Sequence, residues 1–225
     1  MFSIIIPLFN EAESIPKLLV EIEQTLKNKE YEIVIVNDAS TDNTLEILKK
    51  IKSKKIKLIN NISNRGQSYS IHKGITNASY TIIITIDGDG QNDPADIPTL
   101  IKEFSRDNNI KLIGGIRTNR KDNLLKIVSS KLANFIRSRF LKDHCKDTGC
   151  SLKIFDRSIF LSFPYFDGIH RFLPALFNGY GYKTKFISVN HRKRKFGSSK
   201  YGIFKRLIRG IFDMIKVKKI LINNK

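Results

Sequence analysis

The chain has 225 residues, 40 Lys and Arg against 21 Asp and Glu, and a net charge of +19. That length suits one α/β domain with a large core plus a C-terminal extension, and excludes two full domains. The charge points to a polyanionic partner, whether nucleic acid, an anionic membrane face or a phosphorylated substrate, with a solvated basic surface as the plain alternative.

The amino terminus, Met1 to Pro7, lacks a basic n-region and runs into a turn, so it reads as a first strand and not a signal peptide. Further strands are expected at Glu32 to Asn37, Ile56 to Asn60, Tyr80 to Ile86 and Ile110 to Gly114. Helical patterns lie between them at Glu13 to Leu26, Thr44 to Lys52, Ser68 to Asn77 and Ile97 to Phe104. Ile- and Val-rich strands alternating with helices of this length imply βαβ units and a mainly parallel, Rossmann-like sheet. No Gly-x-Gly-x-x-Gly follows the first strand, which argues against an ordinary dinucleotide site.

The strand at Tyr80 to Ile86 stops at Asp87-Gly88-Asp89-Gly90-Gln91. Two carboxylates one residue apart at a strand's C-terminal edge repel, and stay ionised most easily around a divalent, oxygen-liking cation. In an open α/β sheet that edge is also where ligands sit, so the pair would hold a metal against a phosphate; an acidic turn explains the same residues equally well. The first two strands would bring Glu11 and Asp38 to this edge, as acceptors for base N–H groups and ribose hydroxyls. Ser40 and Asp42 read as caps for the helix at Thr44.

After Gly115 the pattern changes. Leu124 to Leu141 reads as a long helix on which Lys126 and Ser130 share a face, Asp147 to Leu152 as a loop entering a strand, and His170-Arg171-Phe172 as the start of a short helix. Thr184 to Asn190 forms another strand, followed by a basic loop from His191 to Tyr201. Arg192 to Lys225 carries twelve basic residues and one acid, Asp213. Within it Ile203, Phe204, Leu207, Ile208, Ile211, Phe212 and Ile215 recur at helical spacing opposite Lys205, Arg206, Arg209, Asp213 and Lys216. Residues 1–200 are therefore expected as the main domain and 201–225 as a basic amphipathic helix, docked on the core through its first turns and touching an anionic membrane through the rest. Its aromatics lie on the apolar face without basic interleaving, so nucleic acid is not the expected partner. No stretch reaches the ~18–20 apolar residues of a spanning helix. Cys145 and Cys150 lack a second pair or zinc-spaced His, which excludes a disulfide framework and suits a reducing compartment.

Taken in order, Ile5 to Glu11, Val36 to Asp42, Asn64-Arg65-Gly66, Asp87 to Gln91, Asp147 to Cys150, His170 to Phe172, and His191 to Arg194 with Gly197 to Gly202 cover nearly the whole chain. This ordered set resembles the family-2 glycosyltransferases of GT-A fold, in particular the polyprenyl-phosphate sugar transferases typified by dolichyl-phosphate mannosyltransferase. The resemblance implies Mg²⁺ or Mn²⁺ held by Asp87, Asp89 and Gln91. It implies a nucleotide-sugar donor held by Pro7, Phe9, Glu11, Val36, Asp38 and Gly88, with Arg194 and Lys200 on its diphosphate, and an acceptor phosphate on Arg117, Lys126 and Ser130. The expected reaction is inverting transfer of mannose from GDP-mannose to undecaprenyl or dolichyl phosphate, at the cytoplasmic face of the cell membrane.

A lipid phosphate is already anionic, so its attack needs no base. A sugar hydroxyl acceptor would need one, with Asp147 the first candidate and His170 the second; structural roles in a turn and at a helix start suit both equally. The chain ends about where membrane-spanning helices begin in many bacterial members, so either the tail helix or a separate membrane-anchoring protein is expected to bring it to lipid. A membrane or nucleic-acid binding protein without catalysis is the remaining alternative, and the complete Asp87, Asp89 and Gln91 set speaks against it.

Overall fold

A computed structural model describes residues 1–118, 134–193 and 203–223, with side chains in the last segment from residue 210 onward. The strands are β1 (Phe2–Leu8), β2 (Tyr31–Asn37), β3 (Ile56–Asn60), β4 (Ile82–Thr85), β5 (Ile110–Thr118), β6 (Lys153–Asp156) and β7 (Lys183–Asn190). The helices are α1 (Ile15–Thr25), α2 (Thr44–Lys50), α3 (Gln67–Thr76), α4 (Ile97–Arg106), α5 (134–141), α6 (Arg157–Ser162), α7 (Leu173–Gly179) and α8 (Ile203–Asn223). Short 3₁₀ turns precede α4 and α7.

One seven-stranded sheet runs in the order β3-β2-β1-β4-β6-β5-β7. Every pairing is parallel except those of β6, which is antiparallel to both β4 and β5. Strand alternation splits the core between the two faces. Ile4 and Ile6 pack with Leu18 and Ile22 of α1 and with Leu100 of α4; Ile5, Val34 and Val36 pack with Ile71 and Ile75 of α3 and with α7. The buried positions of α1 (Ile15, Leu18, Leu19, Ile22) follow the i, i+3, i+4, i+7 spacing of a helix laid on a sheet. On the other face α3 lies so close that a Cβ on Gly74 would come within 2.6 Å of Ile5 Cγ2 and 3.2 Å of Val36 Cγ2; glycine there permits the contact.

The reversed β6 was not foreseen, nor was α6, whose start is capped by Asp156 through Ser158 N (2.8 Å) and Ile159 N (3.2 Å). The reversal has a consequence at the sheet edge. Thr85 pairs with Lys153, and Thr85 Oγ1 donates to Ser151 O at 2.6 Å, so the start of β6 meets the end of β4. Because β4 and β5 both run against β6, the end of β5, with Arg117, reaches the same edge.

Among the described side chains of the tail helix Val217 and Leu221 are buried, and Leu221 fills the space above Gly179 of α7. Burying two aliphatic side chains this way is worth about 3 kcal/mol or more. Asp213, placed on the solvent face by its spacing, is instead buried and paired with Arg171 at 2.6 Å. Ile211, Phe212 and Ile215 remain exposed. The first turns, where docking is expected, lie outside the described side chains; from residue 210 onward α8 both docks, through Asp213, Val217 and Leu221, and exposes Ile211, Phe212 and Ile215.

Candidate active site at the carboxylate edge

Register alone gathers the acidic residues. Leu8 pairs with Asn37 and Asn37 with Asn60, so β1, β2 and β3 end level with one another, and Asp38 N donates to Leu8 O at 2.8 Å just beyond. Ile86 N donates to Ile5 O, after which β4 leaves the sheet into Asp87. Pro7, Phe9, Glu11, Asp38, Asp87, Gly88, Asp89 and Gln91 thus share the C-terminal edge of four strands. A Cβ on Gly88 would run into the Leu8 side chain, so glycine lets Leu8 keep its packing, and Gly90, at φ +70°, makes the turn that follows.

The Asp87 carboxyl is held by Gln67, whose Nε2 donates to Oδ1 at 2.7 Å, while Asp87 N donates to Ser151 Oγ at 3.3 Å. Burial and the neighbouring Asp89 charge push Asp87 up to about 6, against the opposing pull of Ser151, Lys153 and Arg117. A pair strained in this way fits a hard dication, which would relieve the repulsion. The oxygen donors match, and Gln91, whose Nε2 lies 3.4 Å from Arg192 O, has its amide oxygen to offer. Among the described residues no three His, Cys, Asp or Glu side chains form a closed cage. An ion here would need further oxygens from a ligand, as Mg²⁺ sites shared with phosphates do.

Asp38 is buried and its carboxylate accepts from Asn61 Nδ2 (2.7 Å), Arg65 N (2.9 Å) and Gly66 N (2.7 Å). It therefore organises the loop leading into α3. Glu11 N donates to Thr44 Oγ1 at 2.9 Å, and Asn10 N to Ser40 Oγ at 2.9 Å, which locks the ends of β1 and β2 together. Ser40 thus ties two loops instead of capping a helix, and Asp42, one residue before the N-cap Asn43, accepts from Thr44 N at 3.0 Å. Val36 is fully buried against α3, so its side chain shapes the edge from beneath and cannot line it.

Arg117 sits at the edge, held by Asp147 in a two-pronged ion pair: Nε to Oδ2 and Nη2 to Oδ1, both 2.8 Å. A Cβ on Gly149 would come within 2.7 Å of that guanidinium, so the Asp-Thr-Gly turn is shaped around it. The pair takes Asp147 out of consideration as a base. His170 is corrected in the same way: its Nδ1 lies 2.7 Å from Ser68 Oγ, and burial, with Arg171 and Lys153 nearby, pushes its imidazole down to about 3. It is neutral at pH 7 and a poor proton acceptor. Arg194, Lys200, Lys126 and Ser130 lie outside the described residues.

The depressed His170 value carries a sign. A folded value near 3 against an ordinary 6.5 means that folding excludes the proton, so the stabilising contribution is complete above about pH 6.5 and is lost as pH falls toward 3. His170→Gln is expected to flatten the acid limb of urea stability between pH 6.5 and 4, removing a dependence on the order of 3 kcal/mol across that interval. An unchanged limb would show that His170 does not titrate this way.

Sequence reasoning missed Gln67, Asn61, Ser151 and Lys153. Lys153 is buried within β6 and donates to Cys150 O, with its charge acting on Asp87. A Lys or Gln near an apolar stretch carries no signal of its own; only the antiparallel insertion brings Lys153 and Ser151 to the aspartates.

The fold and this edge define the class: a mainly parallel sheet with paired carboxylates at its C-terminal rim is the GT-A nucleotide-diphospho-sugar transferase architecture expected from the sequence. Residues 3–162 match the family model described as glycosyl transferase family 2, and the chain belongs to that family. It is 35% identical over 223 residues to the dodecaprenyl-phosphate galacturonate synthase of Rhizobium johnstonii, covering 96% of this chain and 65% of that protein. It is 34% identical over 219 residues to the undecaprenyl-phosphate 4-deoxy-4-formamido-L-arabinose transferase of Yersinia pestis, covering 95% and 66%. The chain thus spans just under two thirds of the length of these curated relatives. Among solved structures, glucosyl-3-phosphoglycerate synthase from Mycobacterium tuberculosis in complex with Mn²⁺, UDP and phosphoglyceric acid superposes with a TM-score of 0.73 at 14% identity, covering 95% of this chain and 78% of that one. The same enzyme with Mg²⁺ and UDP gives 0.72 at 14% identity, covering 95% and 79%. At such identity the likeness is one of fold.

Proposed function

We propose that this chain transfers a sugar from a nucleotide diphosphate donor to a polyprenyl phosphate, with inversion at the anomeric carbon. The observation that carries this reading over a hydroxyl acceptor is the state of the two base candidates. Asp147 is committed to Arg117, and burial beside Arg171 and Lys153 leaves His170 a weak proton acceptor. An acceptor that is already anionic requires neither.

In this reading Asp87, Asp89 and Gln91 hold Mg²⁺ or Mn²⁺, which when bound neutralises charge developing on the departing diphosphate. Pro7, Phe9, Glu11 and Asp38 seat the nucleoside, and Arg194 and Lys200 reach the diphosphate. Arg117, aimed by Asp147, meets the acceptor phosphate together with Lys126 and Ser130. Catalysis then rests on positioning and leaving-group stabilisation. GDP-mannose is the donor expected from the sequence. The relatives' names carry galacturonate and formamido-arabinose, so the donor panel must include UDP-sugars as well.

Access to a lipid acceptor is supported by surface chemistry. No helix of the described residues is long and apolar enough to cross a membrane. Phe135 and Phe212, each 68% exposed, stand on α5 and α8, joined by Ile136, Phe140, Ile211 and Ile215. Lys218 Nζ lies 5.7 Å from the Phe140 ring, which sets the two helices side by side. Exposed apolar side chains on two neighbouring helices, with Lys218 between them, suit an anionic bilayer interface, in line with a peripheral enzyme on the inner face of the cell membrane. Phe135→Asp with Phe212→Asp should weaken co-sedimentation with anionic vesicles by about tenfold or more; unchanged binding would remove this surface as the contact.

The test of function is an organic-phase extraction assay with undecaprenyl or dolichyl phosphate, Mn²⁺ and labelled GDP- and UDP-sugars. Label in the lipid phase supports the reading and identifies the donor. Label transferred only to a soluble hydroxyl acceptor would overturn it.

A further inference from the structure

We infer that Gln67 is a positioning residue that couples cation holding at Asp87 to nucleotide seating at Asp38, an inference that rests on the glycosyl-transfer reading above. Four consecutive residues make the link. Arg65 N and Gly66 N donate to the Asp38 carboxylate at 2.9 and 2.7 Å. Gln67 Nε2 donates to Asp87 Oδ1 at 2.7 Å. Ser68 Oγ then accepts from Gly168 N at 2.7 Å and contacts His170 Nδ1. The segment thereby straps the end of β2 to the end of β4 across β1, which lies between them in the sheet.

The geometry depends on Gly66, at φ +85° with open space around its Cα. That left-handed residue turns the chain so that successive groups meet two different strand ends, and α3 begins at the next position. The Gln67 amide does two things for Asp87: it fixes rotation of the carboxyl group, and it satisfies one oxygen with a neutral donor that leaves the site's charge unchanged. A ligand that orders the Asp38 loop therefore also orders Gln67, and through it Asp87. By reciprocity, an ion that fixes Asp87 favours the loop conformation a nucleotide needs.

The experiment measures Mn²⁺ binding to the full chain by EPR of free Mn²⁺, with and without GDP or UDP, in wild type, Gln67→Ala and the near-isosteric Gln67→Met. Wild type should bind Mn²⁺ more tightly when the matching nucleotide is present. Both variants should weaken Mn²⁺ by about tenfold, the scale of outer-shell ligand orientation. The nucleotide-dependent tightening should largely disappear in both, with metal-free nucleotide affinity and thermal midpoint unchanged. Unaltered Mn²⁺ affinity and tightening in Gln67→Met would overturn the coupling role while leaving the site reading standing. Equal losses of nucleotide affinity with and without Mn²⁺ would also overturn it, since they indicate only a structural part for the loop. Wild type that binds no Mn²⁺ with either nucleotide would overturn the site reading itself.

Discussion

Replacing Asp89 with alanine is expected to reduce turnover by about 10³-fold or more while leaving the fold intact, because charge on a departing diphosphate loses several kcal/mol of stabilisation when its cation is lost. Asp89 is at the rim, with Oδ1 accepting from Gln91 N at 3.1 Å, so its removal costs little packing. It also relieves Asp87, whose high value owes part of its cause to Asp89; the variant should therefore be no less stable at pH 7 than wild type. Single-turnover transfer to polyprenyl phosphate, with circular dichroism as the control, decides the matter. Residual turnover within tenfold of wild type would sink the assignment of the Asp87, Asp89 and Gln91 edge to a metal.

Asp38→Ala should have the largest effect on stability. The carboxylate is buried and answers three donors: a side-chain amide and two backbone N–H groups. Truncation removes the acceptor shared by all three, though Asn61 Nδ2 keeps Ser70 Oγ at 3.3 Å, and an unmatched buried donor costs about 1–3 kcal/mol. A loss of roughly 3–5 kcal/mol is expected after partial rehydration of the loop, comparable with the largest effects of single substitutions. Asp38→Asn keeps one acceptor oxygen and should fall between. Urea unfolding separates this from function: Asp38→Asn should also weaken nucleotide binding, whereas a variant that loses stability but binds nucleotide normally would confine Asp38 to the scaffold.

The sequence was sufficient to determine the βα alternation, the first five strands and the carboxylate edge, because these are local signals. Parallel strands buried on both faces read as apolar runs, and a run that stops at Asp-Gly-Asp-Gly marks its own C-terminal end. The bond from Thr44 N to Asp42 is equally local, since donor and acceptor lie two residues apart. What only the tertiary structure decided involves partners distant in sequence. The antiparallel insertion of β6 between β4 and β5 brings Ser151 and Lys153 against residues more than sixty positions earlier. Asp147 and Arg117, each open to a functional role in the sequence, are joined in an ion pair across 30 positions that ties up the carboxylate and fixes the guanidinium. His170 reads as a possible base until the fold packs it against Ser68, 102 residues away, and burial beside Arg171 and Lys153 makes it a weak proton acceptor. Helical spacing established that α8 is amphipathic, but an amphipathic pattern has no address. The Arg171–Asp213 pair and the fit of Leu221 over Gly179 choose which stripe meets the core, and so leave Phe212 and its neighbours facing outward.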